Sequence, residues 1–200
     1  MTDQKRVYRK RRRAEHEAET RRRITESAME LHGTVGPSRT SISAVAARAG
    51  VRRSTVYRHF PDEAALFAAC SSHWAALNPP PDLEAWGAIL DPEARLASAL
   101  LQLYRYYRRT EPMLDNLHRD EPLMPTVERQ FAGFREYQSA ARATLTRGRP
   151  ERGRARRRVG AAIGHALSFA SWRSLAREQG LDDGQAADLM SRLVAVAGRP

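Results

Sequence analysis

The sequence predicts an all-α protein in two parts, a compact helical block and a helix bundle behind it. Three observations predict this. Apolar residues recur at helical spacing along most of the chain. Alternating β-branched runs and hairpin dipeptides are scarce, and no internal repeat is visible. Pro79-Pro80-Pro81, a run that no helix tolerates, separates the periodic segments into two groups.

The elements follow in chain order. Residues 1–13 hold Lys5, Arg6, Arg9, Lys10, Arg11, Arg12 and Arg13 with no periodic apolar residues, so this basic arm is expected to be disordered and self-repelling without a partner. A helical block runs from Ala14 to Leu77. Behind it, residues 79–87 read as a linker. Bundle helices are expected on four stripes. The first is Leu96, Leu100, Leu103, Tyr104 and Tyr107, after Asp91-Pro92 in the N-cap and N1 roles. A short piece at Pro112–Leu117 follows. The second stripe is Val127, Phe131, Phe134, Gln138, Ala141 and Leu145, and the third is Val159, Ile163, Ala166, Leu167 and Ala170. The fourth, Ala186, Met190, Leu193, Val194 and Ala197, is preceded by an Asp182–Gln185 spacing that suits a capping box. Seven arginines between Arg147 and Arg158 read as a mobile, solvated loop, with a second nucleic-acid contact as the alternative.

Two hundred residues suffice for one long domain or two small ones, and 42% hydrophobic with 28% charged is a globular mix. The single cysteine, Cys70, excludes an internal disulfide framework and lacks metal-ligand neighbours, so a buried structural thiol is expected. The basic start is not followed by an apolar secretory region, and no run approaches 18 apolar residues. A soluble, cytoplasmic protein is the expectation.

Charge is placed unevenly. Residues 1–60 hold 15 Lys and Arg against 6 Asp and Glu, which is +9 of the net +11; the other 140 residues hold 19 against 17. A surplus gathered in the first third points to a polyanion at that end, nucleic acid or an acidic membrane. The arm has no apolar face, which disfavours the membrane. Arginine outnumbers lysine 32 to 2, a matter of codon usage rather than chemistry.

Within this region, residues 41–57 have the logic of a helix-turn-helix. Ile42, Val45, Ala46 and Ala49 form one apolar face, and Ala46 is small enough for a second helix to cross closely. Gly50 stands where the chain must turn sharply. Val51 and Val56 anchor the second helix, which is expected to end near Phe60-Pro61. Arg52, Arg53, Ser54, Thr55, Tyr57 and Arg58 are then shared between core and solvent, and the leading residues of such a helix reach base edges in the major groove. A helical hairpin with a basic outer face is the alternative. The Tyr57 ring is expected in the core with its hydroxyl free, and His59 suits a phosphate contact.

Ile24, Ala28, Leu31, Thr40, Ile42, Val45-Ala46, Ala49-Gly50-Val51, Thr55, Tyr57, His59-Phe60, Leu66 and Phe67 resemble the N-terminal pattern of the TetR family of bacterial regulators. The stretch Gly164–Leu175 within residues 160–193 also resembles the dimerisation end of many members, whereas residues 79–158 hold no signature. The resemblance implies a three-helix DNA-binding headpiece over 14–60, a connecting helix over 61–78, and a ligand-binding and dimerisation bundle over 79–200. It implies repression relieved by a small molecule. By position, Thr40 would cap the first helix of the motif and bind a phosphate; Arg52, Arg53, Ser54 and Thr55 would face the groove; Tyr57 and His59 would reach phosphates. Two departures matter. Arg52 replaces a frequent serine, so an N-cap is lost, and Glu63 replaces a frequent phosphate-binding lysine.

Aromatic side chains are frequent on the bundle stripes. Trp74, Tyr104, Tyr107, Phe131, Phe134, Tyr137, His165 and Phe169 are candidate lining for an effector pocket, although the same spacing also describes plain core. Few charges share these faces, which suggests an uncharged or amphipathic organic effector. No catalytic or phosphate-cradling motif is present, and no cofactor is expected. The expected partners are a double-stranded DNA operator, a second copy of the chain and the effector. A ligand-independent architectural DNA-binding protein is the rival reading.

Overall fold

The computed structural model describes residues 2–199; Met1 and Pro200, the outer ends of the expected arm and bundle, lie outside, as do the side chains of residues 2–5, Lys5 among them. The described residues form ten α-helices and no strand: α1 (Thr2–Thr34), α2 (Ile42–Arg48), α3 (Arg53–His59), α4 (Glu63–Leu77), α5 (Leu83–Gly87), α6 (Pro92–Asp120), α7 (Pro125–Thr146), α8 (Gly153–Ala166), α9 (Phe169–Arg173) and α10 (Asp183–Ala197). They divide into two units. One comprises the chain up to Asn78 together with Asp115–Gln130, and the other comprises Pro79–Leu114 and the chain from Phe131 onward.

In the first unit α1 packs on α4 and α2, and α2 on α3. The core is Ile24, Ala28, Ile42, Val45, Ala46, Val56, Phe60, Leu66, Phe67 and Cys70. Cys70 Sγ lies 3.2 Å from His32 Nδ1, and burial pushes this imidazole down to about 4 and the thiol up to about 12. Both groups are neutral packing elements. Residues 115–120 finish the unit. Asn116 Nδ2 donates to His32 O at 3.0 Å, Arg119 Nη2 to Val35 O at 2.9 Å, and Ser38 N to Asp120 Oδ2 at 2.9 Å. Asp120 has no solvent exposure. Burial alone would raise its carboxyl, but the Arg119 guanidinium at 2.8 Å and the Ser38 amide outweigh that and hold it below its ordinary value.

In the second unit the stripe of α6 is the core: Leu96, Leu100, Leu103, Tyr104 and Tyr107 are sealed from solvent. Tyr104 and Tyr107 hydroxyls donate to Ala166 O at 2.9 Å and Leu167 O at 2.6 Å, the carbonyls freed where α8 ends. Trp172 Nε1 and Arg108 Nε share Asp183 at 3.1 and 2.8 Å. The Asp182–Gln185 capping box opens α10.

Several expectations need correction. The arm is helical from Thr2 and forms the start of α1: it has no Gly or Pro, and the Arg11–Glu15 and Arg13–Glu17 pairs bridge successive turns. Residues 79–87 are a linker only as far as Asp82, which caps α5, because Trp86 is fully buried and its indole N–H donates to Gln102. Pro112–Leu117 is the interior of α6 rather than a separate piece. The third stripe breaks at Ser168, which caps α9 through Ser171 N. The arginine-rich stretch is tied down at its start. Arg149 is buried and donates to Leu145 O and Glu93, and Arg147 donates to Gly87 O. Arg95, also buried, holds the same corner through Ile89, Leu90, Thr144 and Arg147 carbonyls at 2.7–3.1 Å.

Candidate nucleic-acid interface

The interface is built from α2, a glycine turn and α3. Ser41, not Thr40, caps α2: its hydroxyl accepts from Ala44 N at 3.1 Å. Thr40 is half-buried and donates its hydroxyl to Gly36 O at 2.8 Å, which closes the preceding 3₁₀ turn. Helix α2 ends in paired bonds, Gly50 N to Ala47 O and Val51 N to Ala46 O, with Gly50 at φ 64°. That left-handed turn is what glycine supplies without a Cβ penalty. It returns the chain so that Val56 and Phe60, both sealed, pin α3 to the core.

With Val56 and Phe60 inward, the outer face of α3 is fixed. Arg53 and Tyr57 lie one turn apart, Ser54 and Arg58 lie beside them, and all four are exposed. Thr55 is half-buried. Arg52 takes the N-cap position with extended backbone and no side-chain cap, as its replacement of a capping residue implies. Among the described residues no acid pairs with Arg52, Arg53 or Arg58, whereas Arg48 at the end of α2 is neutralised by Glu30. The helix thus offers three uncommitted guanidiniums at its two ends and two hydroxyls between them.

Besides Thr40, two site residues are placed otherwise than expected. The Tyr57 ring is not in the core but 42% exposed, since Val56 and Phe60 take the inward positions. His59 is half-buried, with Nε2 sealed from solvent and unpartnered. Burial first, then the neighbouring Arg58 and Arg21 charges, lower its pKa. A neutral imidazole with one nitrogen sealed is a poor phosphate ligand in this conformation.

Arg21 was invisible as a site residue. Its Nη1 donates to His59 O at 2.5 Å and its guanidinium stacks 4.1 Å from the Phe60 ring, so α1 grips the C-terminal end of α3. Its sequence signal was weak, one arginine in a run of three. Asp62, which caps α4 by accepting from Ala65 N at 2.7 Å, had a better one: it directly precedes Glu63 and an apolar run.

The pocket candidates scatter. Trp74 is half-buried and belongs to the first unit, whereas the others belong to the second. Tyr104, Tyr107 and Phe169 are packed core. Phe131 is buried against Phe134, which stacks on Tyr137 at 6.2 Å, and Tyr137 donates to Pro81 O. His165 is exposed, 3.2 Å from Ser171 Oγ. Among the described residues no group of His, Cys, Asp and Glu is arranged to hold a metal, and no helix is long and apolar enough to cross a membrane.

Residues 24–70, which span the turn and both its helices, match the family model described as bacterial regulatory proteins, tetR family. No curated protein matches the chain. Among solved structures, a TetR-like transcriptional regulator from Rhodococcus sp. RHA1 is 20% identical over 90% of this chain and 97% of its own, at a TM-score of 0.66. NalD of Pseudomonas aeruginosa, the secondary repressor of the MexAB-OprM multidrug efflux pump, is 20% identical over 92% and 97%, at 0.58. A TetR-family transcriptional regulator from Streptomyces coelicolor is 19% identical over 90% and 79%, at 0.57. These likenesses establish a common fold along nearly the whole chain. Residues 24–70, with their helix-turn-helix, thus match the TetR family of bacterial regulatory proteins, and nearly the whole chain has the all-helical fold of these solved structures.

Proposed function

We propose that the protein is a homodimeric repressor that binds a near-palindromic operator through α3 and leaves it when a small organic effector binds the second unit. The observation that carries the reading is the outer face of α3, where Arg52, Arg53 and Arg58 stand exposed with no acidic partner around Ser54 and Tyr57. An arginine at the leading end can donate two parallel bonds to guanine O6 and N7, while hydroxyls and remaining cations fix register on phosphates. NalD, of the same fold, is a repressor, which favours repression over activation.

Dimerisation is supported by α10. Leu189, Leu193 and Val196, spaced four and three residues apart, are 38–54% exposed, an apolar stripe suited to a two-fold helical interface. Two headpieces would then meet successive major grooves, about 34–36 Å apart. Phe134 and Tyr137 are the half-buried aromatics of the candidate lining that remain accessible to an uncharged effector.

Selecting bound sites from a random DNA pool tests the reading. A short motif with two related halves is expected, and a footprint confined to it. Protection along every duplex, with no recovered motif, would replace the regulator by an architectural DNA coat.

A further inference from the structure

Helix α1 is longer than the headpiece needs. Its first buried side chain is Thr20, and residues 6–19 are exposed throughout. The faces of this overhang are not equivalent. Arg6, Arg9, Lys10 and Arg13 stand 18 residues ahead of Ile24, Ser27, Ala28 and Leu31. Eighteen residues make about five helical turns, so the four cations lie in line with the face that α1 turns toward the headpiece core. That face packs on the core where it is covered and is cationic where it is not. Arg6, Arg9 and Lys10 have no acidic partner among the described residues, and Arg13 meets only the exposed Glu17.

The stripe also has a fixed relation to α3, because Arg21 binds the C-terminal end of that helix through His59 O and Phe60. From Arg21 to Arg6 the helix extends about 22 Å. That length covers about six or seven base pairs of duplex at ~3.4 Å each.

We propose that this stripe is a second DNA contact, in which Arg6, Arg9, Lys10 and Arg13 grip backbone phosphates of the duplex flanking the site read by α3. The proposal rests on the DNA-binding reading above. Charge complementarity selects the partner: four cations at i, i+3, i+4 and i+7 match a phosphate backbone, and the exposed Val7 and Tyr8 beside them lie off the stripe and form no apolar face for a lipid interface.

The test uses the full chain and the operator recovered by selection, as a duplex with flanks of about ten base pairs and as one trimmed to the motif. R9A/R13A and R11A/R12A each remove two exposed cations, on and off the stripe. On the flanked duplex, gripped by both protomers of the dimer, R9A/R13A should lower the slope of log K against log salt by roughly 3.6, about 0.9 for each of the lost phosphate contacts. R11A/R12A should leave the slope unchanged, and on the trimmed duplex both variants should match the unmodified protein. Equal falls for the two variants would overturn the stripe in favour of diffuse charge. An unchanged slope for R9A/R13A would overturn it outright, and if that variant also lost binding to phosphatidylserine vesicles the stripe would belong to a membrane. Absence of any selected DNA would instead remove the reading of the headpiece itself.

Discussion

Replacing Arg53 by alanine should push two measurements in opposite directions. Arg53 is the first residue of α3, exposed and without an acidic partner, so its loss breaks no contact in the free protein. A cation at a helix N-terminus opposes the macrodipole, and its removal should stabilise the fold by about 0.3–1 kcal/mol, seen as a higher melting temperature. On the operator the same change would remove the proposed bidentate guanine contact, worth about 1–3 kcal/mol, roughly five- to 150-fold in affinity for one half-site. A dimer makes the contact twice, so the full operator should lose about twice that free energy, and preference should relax at one position in each half-site. Fluorescence anisotropy with operator and scrambled duplexes reads both affinity and specificity. Equal losses on the two duplexes would refute the reasoning, make Arg53 a phosphate clamp and pass base reading to Arg52.

Three further outcomes are expected. Tyr57→Phe removes one exposed hydroxyl and should weaken operator and random duplex alike, by about 0.5–1.5 kcal/mol in the same anisotropy assay; a loss confined to the operator would make Tyr57 a base reader. Leu193→Arg should give a folded monomer by analytical ultracentrifugation with unchanged circular dichroism, and a persisting dimer would move the interface away from α10. Val194, beside it in the stripe, cannot serve this purpose because it is fully buried and a charge there would unfold α10. Asp120→Ala strands the Ser38 amide and should cost about 2–3 kcal/mol in urea denaturation. The Asp120 carboxyl is held below its unfolded value of 3.8, so its stabilisation is present above that value and lost as pH falls through the folded one. The gap between the two proteins should therefore start to narrow only as pH falls below 3.8 and keep closing through the lower folded value. A gap that persists there would make the loss one of packing.

Local chemistry made most of the headpiece legible. The small–glycine–apolar order at Ala46, Gly50 and Val56 has few backbone solutions, and the structure adopts the one expected. The fold class and the Asp182 capping box were legible for the same reason. Non-local contacts were not. Thr40 and Ser41 are equally good caps on paper, and Gly36 decides between them by engaging the Thr40 hydroxyl. The Tyr57 ring was expected inside because a tyrosine can serve either face, and only the depth of Phe60 settles it. Buried arginines were missed for a related reason: Arg95 and Arg149 sit among charges that read as solvated, and their burial depends on carbonyls up to 52 residues away. Asp120 had no signal at all, since its partner amide is 82 residues upstream.

That last distance bears on how the protein is made and how it can be taken apart. The headpiece core is assembled from two stretches of sequence, with some 36 residues of the other unit threaded between Asn78 and Asp115. While the chain is being synthesised, the amide of Ser38 and the carbonyls of His32 and Val35 must wait for residues 116–120 to leave the ribosome, so the reading domain is not finished when its own helix-turn-helix is. For the same reason a headpiece excised at residue 78, or grafted onto another sensor at that point, would be cut away from Asn116, Arg119 and Asp120. A working chimera of this headpiece has to bring residues 115–130 with it.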